Sequence, residues 1–350
     1  MTVASVASAS GLRPLRIGAL HLSSPVLVAP MVGITDAPCR SLAREMGAGL
    51  VSTEMVAAEA VVRSNEAAFK LLDFPAGTEP VAAQLVGCDA SLMAEAAQVC
   101  VARGAAVVDV NLGCPVAKVV SRGSGAALAR DVHATAGVLG AMVAAVGVPV
   151  TAKMRLGWDR ASTNAAELAR ALQDAGVAAV TVHGRTRCQK YEGYADWAEI
   201  ARVKESVDIP VIGSGDVDDV RLIAARIRAG IVDGVVVARG MLGNFWFIRQ
   251  AAWHLAAGEL LPDLDFGARI ELARRHLRML CAYHGEARAT RIGRKYVAWT
   301  IKGCNGAARL RAQVQSLETF SHIESLLDEA RAAGLGPQGW FRPVFTSGDG

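Results

Sequence analysis

Eight apolar, β-rich runs recur between residues 26 and 238, at 26–31, 49–55, 81–87, 107–114, 148–156, 178–184, 209–213 and 234–238. Helix-like segments separate most of them, at 36–46, 91–103, 134–145, 164–175, 197–205 and 217–229. Strict alternation of this kind predicts parallel strands, because a parallel pair needs a long crossover and a helix is the usual one. Runs such as Val107–Val110 are nearly continuous in apolar residues, as expected of strands covered on both faces. Eight such units predict an α/β fold, a closed (β/α)8 TIM barrel. A doubly wound open sheet is the rival, and it carries a Gly-rich turn after its first strand. Here the first run ends in Ala29-Pro30-Met31 with no GxGxxG, so the barrel is preferred.

At 350 residues the chain exceeds the ~250 of a typical barrel. The surplus lies mainly at the C-terminus, where 269–333 reads as helices without strands. The expected organisation is a disordered leader at 1–14, a barrel at 15–250, a C-terminal all-helical domain at 265–335 and a tail at 340–350. Between Arg269 and Arg311 there are eleven cations, opposed only by Glu271 and Glu286. Arg288, Arg291, Lys295 and Lys302 fall at i, i+3, i+7 and i+14, which predicts one basic helical face. The reading against it is a merely solvated face.

Seven cysteines, odd in number and without CxxC spacing, argue against a disulfide framework and a zinc site and for a reduced, cytoplasmic chain. No apolar run reaches the ~18 residues of a membrane span, and no cationic start precedes an apolar block as in a secretion signal.

A barrel of this kind works at the C-terminal ends of its strands. Those ends carry Pro30-Met31, Glu54, Gln84, Asn111 and Cys114, Lys153 and Arg155, His183 and Arg185, Ser214 and Asp216, and Arg239. So many polar side chains are hard to assign to stability alone. Cys114 follows a strand on a Gly113/Pro115 loop with Lys118 and Arg122 a few residues on. That is how a reactive thiol would be presented, although a buried structural cysteine is the alternative. Ser214-Gly215-Asp216 and Ala238-Arg239 follow strands seven and eight, where barrels commonly hold a phosphate. With Lys153 and His183 beside them, they suit a phosphorylated cofactor whose electron-rich ring lies across the barrel. Lys153 would stabilise negative charge on a reduced flavin, and Gln84 could hydrogen-bond the ring edge. No carboxylate–histidine cluster has metal-ligand spacing. Cys114 is therefore the obvious catalytic side chain, and beside a hydride source its natural task is proton donation.

These residues resemble the tRNA-dihydrouridine synthases, most closely the bacterial B-type subgroup. The resemblance spans roughly residues 15–325. It rests on Ala29-Pro30-Met31-Val32-Gly33-Ile34-Thr35-Asp36, Gln84-Leu85-Val86-Gly87, Asn111-Leu112-Gly113-Cys114-Pro115, Lys153-Met154-Arg155, and His183-Gly184-Arg185-Thr186-Arg187 running on to Tyr191, Gly193 and Ala195-Asp196-Trp197. The Asn-x-x-Cys-Pro motif alone is also similar to dihydroorotate and dihydropyrimidine dehydrogenases.

The resemblance implies FMN held by Pro30, Met31, Val32, Gln84, Lys153, His183, Ser214, Gly215, Asp216, Ala238 and Arg239. It further implies Cys114 as proton donor, Asn111 near the substrate base, NADPH (or NADH) as reductant and tRNA as partner. Arg185 is a second candidate for the base edge. Arg291, Arg294 and Lys295 are expected to touch the RNA, with no metal, no membrane and a monomeric chain. Three positions depart from the family pattern: Ser214 stands where Asn is usual, and Tyr296 and Thr300 replace the usual His and Tyr. Two other functional classes remain open, a flavin dehydrogenase of a free pyrimidine such as dihydroorotate and a noncatalytic RNA-binding barrel.

Overall fold

The computed structural model describes residues 14–336, so most of the expected leader and all of the tail lie outside the described residues. Eight parallel strands close into a barrel: β1 Val26–Val28, β2 Leu50–Ser52, β3 Val81–Val86, β4 Val107–Leu112, β5 Val150–Arg155, β6 Ala179–His183, β7 Val211–Ser214 and β8 Gly234–Val237. Each pairs with the next, and β8 pairs with β1 to complete the ring. Around it lie α1 Ala37–Glu45, α2 Ala90–Ala102, α3 Val132–Ala145, α4 Ala165–Asp174, α5 Trp197–Glu205, α6 Val220–Arg228 and α7 Trp246–Ala257. Asp89, Asp131, Asp196 and Asp219 cap α2, α3, α5 and α6 by accepting from the first-turn amides. Each such cap stabilises its helix by about 1 kcal/mol and fixes where the loop from the preceding strand must end.

Side chains alternate across each strand, so register decides what points inward. The lower interior layer is apolar: Leu27, Leu50, Ala82, Val107, Ala179, Ile212 and Val236. A short hairpin of Arg16–Ile17 and Leu20–His21, not foreseen in the sequence, closes this end with Leu15, Ile17 and Leu22. Two residues further along the same faces the interior turns polar, which leaves the opposite end as the working face.

The barrel's last helix runs to Ala257, seven residues past the expected boundary, because Phe247, Ile248, Ala251 and Leu255 belong to the barrel core. A bundle of α8 Phe266–His284, α9 Glu286–Thr300, α10 Ala307–Gln313 and α11 Phe320–Ala333 follows. It has its own core, including Ile270, Leu277, Leu280, Val297, Ile323 and Leu327. No described helix is long and apolar enough to cross a membrane.

Candidate active site

The mouth of the barrel is built on neighbouring strands whose residues pair in register. Gln84 lies beside Asp109, Asn111 beside Lys153, and Arg155 beside His183, which in turn lies beside Ser214. A chain of side-chain hydrogen bonds crosses β3, β4 and β5. The Thr151 hydroxyl donates to Asp109 Oδ1 at 2.7 Å and Gln84 Nε2 donates to Asp109 Oδ2 at 2.7 Å. Asn111 Nδ2 donates to Gln84 Oε1 at 2.9 Å, and Asn111 Oδ1 accepts from the backbone N–H of Cys114 at 2.8 Å and of Gly113 at 3.1 Å.

The direction of this chain follows from chemistry. A carboxylate only accepts, so Gln84 must present its NH2 to Asp109 and its oxygen to Asn111. Asn111 must then turn its own oxygen to the Cys114 loop. Burial pushes the Asp109 carboxyl above the usual range, opposed by the hydrogen bonds from Gln84 and Thr151.

Cys114 is a free, partly exposed thiol. Its carbonyl accepts from Ala126 N–H, and Gly125 (φ +61°) lets this return segment approach: a Cβ there would lie 3.2 Å from Cys114 Cβ. Arg155 secures the other side, with Nε on the Gly113 carbonyl at 3.0 Å and Nη1 on those of Thr186 and Lys190.

Lys153 stands on the inward face, partly exposed at the mouth. Burial, then repulsion from Arg155, pushes its ammonium down to about 8, with Asp109 opposing. His183 is driven well below its ordinary value by burial, then by Arg155, Lys153, Arg185 and Arg239. The neutral imidazole is favoured, and because Arg185 Nη1 can only donate and faces Nε2 at 3.4 Å, the ring proton sits on Nδ1. Tyr191 lies over this group, 6.3 Å from the His183 ring, with the Arg155 and Arg239 guanidiniums 5.5 and 5.0 Å from its centroid.

On the far side, the turn after β7 is tightly specified. Gly215 (φ +108°) has no room for a side chain, since a Cβ would meet Ala195 Cβ at 2.6 Å and His183 Cδ2 at 2.8 Å. Asp216, also at positive φ (+49°), accepts from Arg185 Nη2 through both oxygens at 2.8 Å and from Ala195 N–H at 2.7 Å. Arg239 Nη2 lies 4.0 Å away.

Several expected roles change with this geometry. Arg185 is 1% exposed, and its remaining donors serve the Glu192 and Gly193 carbonyls and face His183 Nε2. It pins the loop after β6 to Asp216. Gln84 is likewise 1% exposed and committed at both ends of its amide, leaving one N–H for any ligand. Asp109 and Thr151 were missed in the sequence reading. The available signal was their place on an inward strand face, two residues before Asn111 and Lys153.

The basic segment also looks different in three dimensions. Acids from α1, α8 and α11 neutralise much of it: Arg274 with Glu271, Glu324 and Asp328, Arg275 with Glu45, Arg278 with Glu324, and Arg309 with Glu329. Arg294 donates to the Leu317 carbonyl at 3.1 and 2.8 Å, and Lys295 to the Gly33 carbonyl. Lys302 sits in the turn beyond α9, so the expected stripe stops short of it. Arg288 and Arg291 are exposed with no acidic partner among the described residues. Among those residues no group of His, Cys, Asp and Glu could hold a metal ion.

The family model described as dihydrouridine synthase (Dus) matches residues 27–333. This chain belongs to the dihydrouridine synthase family. Curated relatives agree: "Probable tRNA-dihydrouridine synthase" of Rickettsia bellii is 40% identical over 301 residues, 86% of this chain and 92% of that protein. "tRNA-dihydrouridine synthase B" of Xanthomonas campestris and of Pseudomonas aeruginosa are each 38% identical, covering 87% of this chain and 92% of theirs. These relatives place the chain with the B-type dihydrouridine synthases. Among solved structures, morphinone reductase in complex with tetrahydroNAD superposes with a TM-score of 0.51 at 16% identity, over 72% of this chain and 92% of that one. That likeness is one of fold, and it agrees with the closed barrel.

Proposed function

We propose that this dihydrouridine synthase reduces the C5=C6 bond of uridine in tRNA, with FMN held in the barrel mouth and NADPH as reductant. The observation that carries the reading is the meeting of Cys114, Lys153 and neutral His183 at one barrel mouth, in a chain the family model spans almost throughout. The donor set suits FMN. Lys153 is a cation able to face a ring that gains electrons, His183 is an uncharged donor, and Arg239 with the turn at Gly215 can receive a phosphate. Pro30, Met31, Val32, Ser214, Asp216 and Ala238 complete the surrounding wall in this reading. When bound, the FMN supplies a hydride, drawn from NADPH, to the uracil.

C6, the electrophilic end of a bond conjugated with the C4 carbonyl, is where a hydride would add. Cys114 then delivers its Sγ proton to C5 from the opposite face, acting as general acid. The thiol must be placed against the ring, and placing it is the work of Asn111 and Arg155, which grip the Cys114 loop from both sides. A stacked uridine cannot reach this depth, so the nucleotide must leave the stack. The exposed Val32, Val116, Tyr191 and Tyr194 at the mouth offer apolar surface to receive it. Arg288 and Arg291 of α9 are the open cations for the tRNA backbone, with Arg294 behind them holding the bundle in shape and Lys295 tied to the Gly33 loop.

A free-pyrimidine dehydrogenase is the weaker reading, because the curated relatives are named for tRNA and the exposed cations would then be idle. The test is to incubate the full chain with FMN, NADPH and unmodified tRNA and measure dihydrouridine in the RNA. Dihydrouridine in tRNA with no turnover of free uracil or dihydroorotate is expected; the reverse would overturn the reading.

A further inference from the structure

The loop after β1 is held by the helical bundle from the far end of the sequence. Within the loop, Thr35 Oγ1 accepts from Met31 N–H at 3.0 Å, and the Ile34 and Thr35 amides both close on the Met31 carbonyl at 3.0 Å. At its tip, Gly33 is gripped through both of the peptide units that flank it. Its N–H donates to Glu54 Oε2 at the end of β2, and its carbonyl accepts from Lys295 Nζ on α9. The arrangement is electrostatically ordered, with the N–H of the unit before Gly33 facing the carboxylate and the C=O of the unit after it facing the ammonium. Gly33 adopts φ +72°, a conformation that disfavours any side chain.

Further contacts continue the attachment. Tyr296 OH donates to the Ile34 carbonyl at 3.0 Å, His284 Nε2 meets Asp36 Oδ2 at 2.7 Å, and Arg275 pairs with Glu45 on α1. These partners are 230 to 262 residues apart in the sequence. The loop itself carries Pro30, Met31 and Val32.

We infer that Lys295 is a positioning residue for the cofactor-binding loop: with Glu54 it clamps Gly33 from both sides, so that this one contact from the helical bundle sets the shape of the FMN site. The inference rests on FMN being the cofactor, as proposed above. Lys295 is therefore spent on the barrel, and RNA contact falls to the exposed arginines beside it.

The test is FMN affinity of the full-length apoprotein, followed by flavin fluorescence, with apoprotein Tm measured in parallel. Lys295→Met removes a charged hydrogen bond and should raise the FMN Kd on the order of tenfold. Lys295→Arg, which can still reach a carbonyl, should recover most of that loss. Arg275→Met, which breaks an exposed docking pair remote from the loop tip and leaves the Lys295–Gly33 contact in place, should lower Tm slightly and leave the FMN Kd unchanged. An unchanged Kd in Lys295→Met overturns the inference, as does an equal rise in Arg275→Met, which would mean that docking alone matters. Weaker tRNA binding in Lys295→Met with normal FMN affinity would return the residue to the RNA surface and also overturn it. If the wild-type chain takes up no FMN, the functional reading fails first and this inference with it.

Discussion

Two halves of the mouth are fixed in different ways. On the β3–β5 side, Gln84, Asp109, Asn111 and Thr151 lie on adjacent strands and hold one another through a directional chain ending at the Cys114 amide. On the β1–β2 side, the Gly33 loop is shaped by side chains of α8 and α9 from the other end of the chain. The first half is a product of strand register. The second depends on a docking event, so it should respond to perturbations of the bundle that leave the first half untouched.

The largest effect should come from the thiol. Cys114→Ala should keep its flavin and its reduction by NADPH, yet lose about 10²–10⁴-fold in dihydrouridine formation, the usual worth of a general acid. Full turnover in that variant would remove Cys114 from the chemistry and leave the strand-built half without a catalytic purpose.

Next comes the direction of the amide chain. Asp109→Asn replaces an acceptor-only group with one that also donates, so Gln84 and then Asn111 can turn over and Cys114 N–H loses its acceptor. Turnover should fall by about 10- to 100-fold, as expected when a reacting group is slightly misplaced, while the FMN Kd changes little. An unaltered rate would show that the chain does not govern the thiol.

A pH dependence distinguishes the bundle side. His276 is buried between Phe245 and Tyr296, with ring centroids 4.9 and 4.5 Å away, and burial pushes it down to about 4. Its folded value lies below the unfolded ~6.5, so the folded state binds fewer protons and stability is lost as pH falls from about 6.5 toward 4. The contribution is on the order of 3 kcal/mol at the acid end. His183 acts in the same direction, so the comparison is with His276→Phe. Unfolding free energies across this range should fall less steeply in the variant, and parallel curves would contradict the assignment.

The smallest effect is expected at the rim. Arg291→Ala should leave flavin binding intact and weaken tRNA binding, lowering the slope of log K against log salt by about 1. An unchanged slope would place the RNA elsewhere.

The barrel itself was legible because strand–helix alternation is a local property of sequence, and parallel closure follows from it. The mouth residues were legible by position, since strand ends in a barrel face one way. Their partners were less so. Asp109 reads as one polar residue in an apolar run until register sets it beside Gln84 and Thr151. Arg185 reads as a substrate-facing cation, yet the turn at Gly215 and Asp216 draws it inward. The basic segment was the least legible, because its neutralising acids, Glu45, Glu324, Asp328 and Glu329, lie outside residues 269–311. Charge along a helix is visible in sequence, whereas what packs against each face is set by the tertiary fold.

The central claim is that a flavin in this mouth reduces uridine presented by tRNA. A single-turnover experiment addresses it most directly: load the full chain with FMN, reduce it with NADPH in the absence of oxygen, remove excess reductant and add unmodified tRNA. The account predicts that flavin absorption returns as dihydrouridine appears in the RNA in matching amount. A chain that takes up no FMN, or a reduced flavin that tRNA leaves bleached, would contradict it.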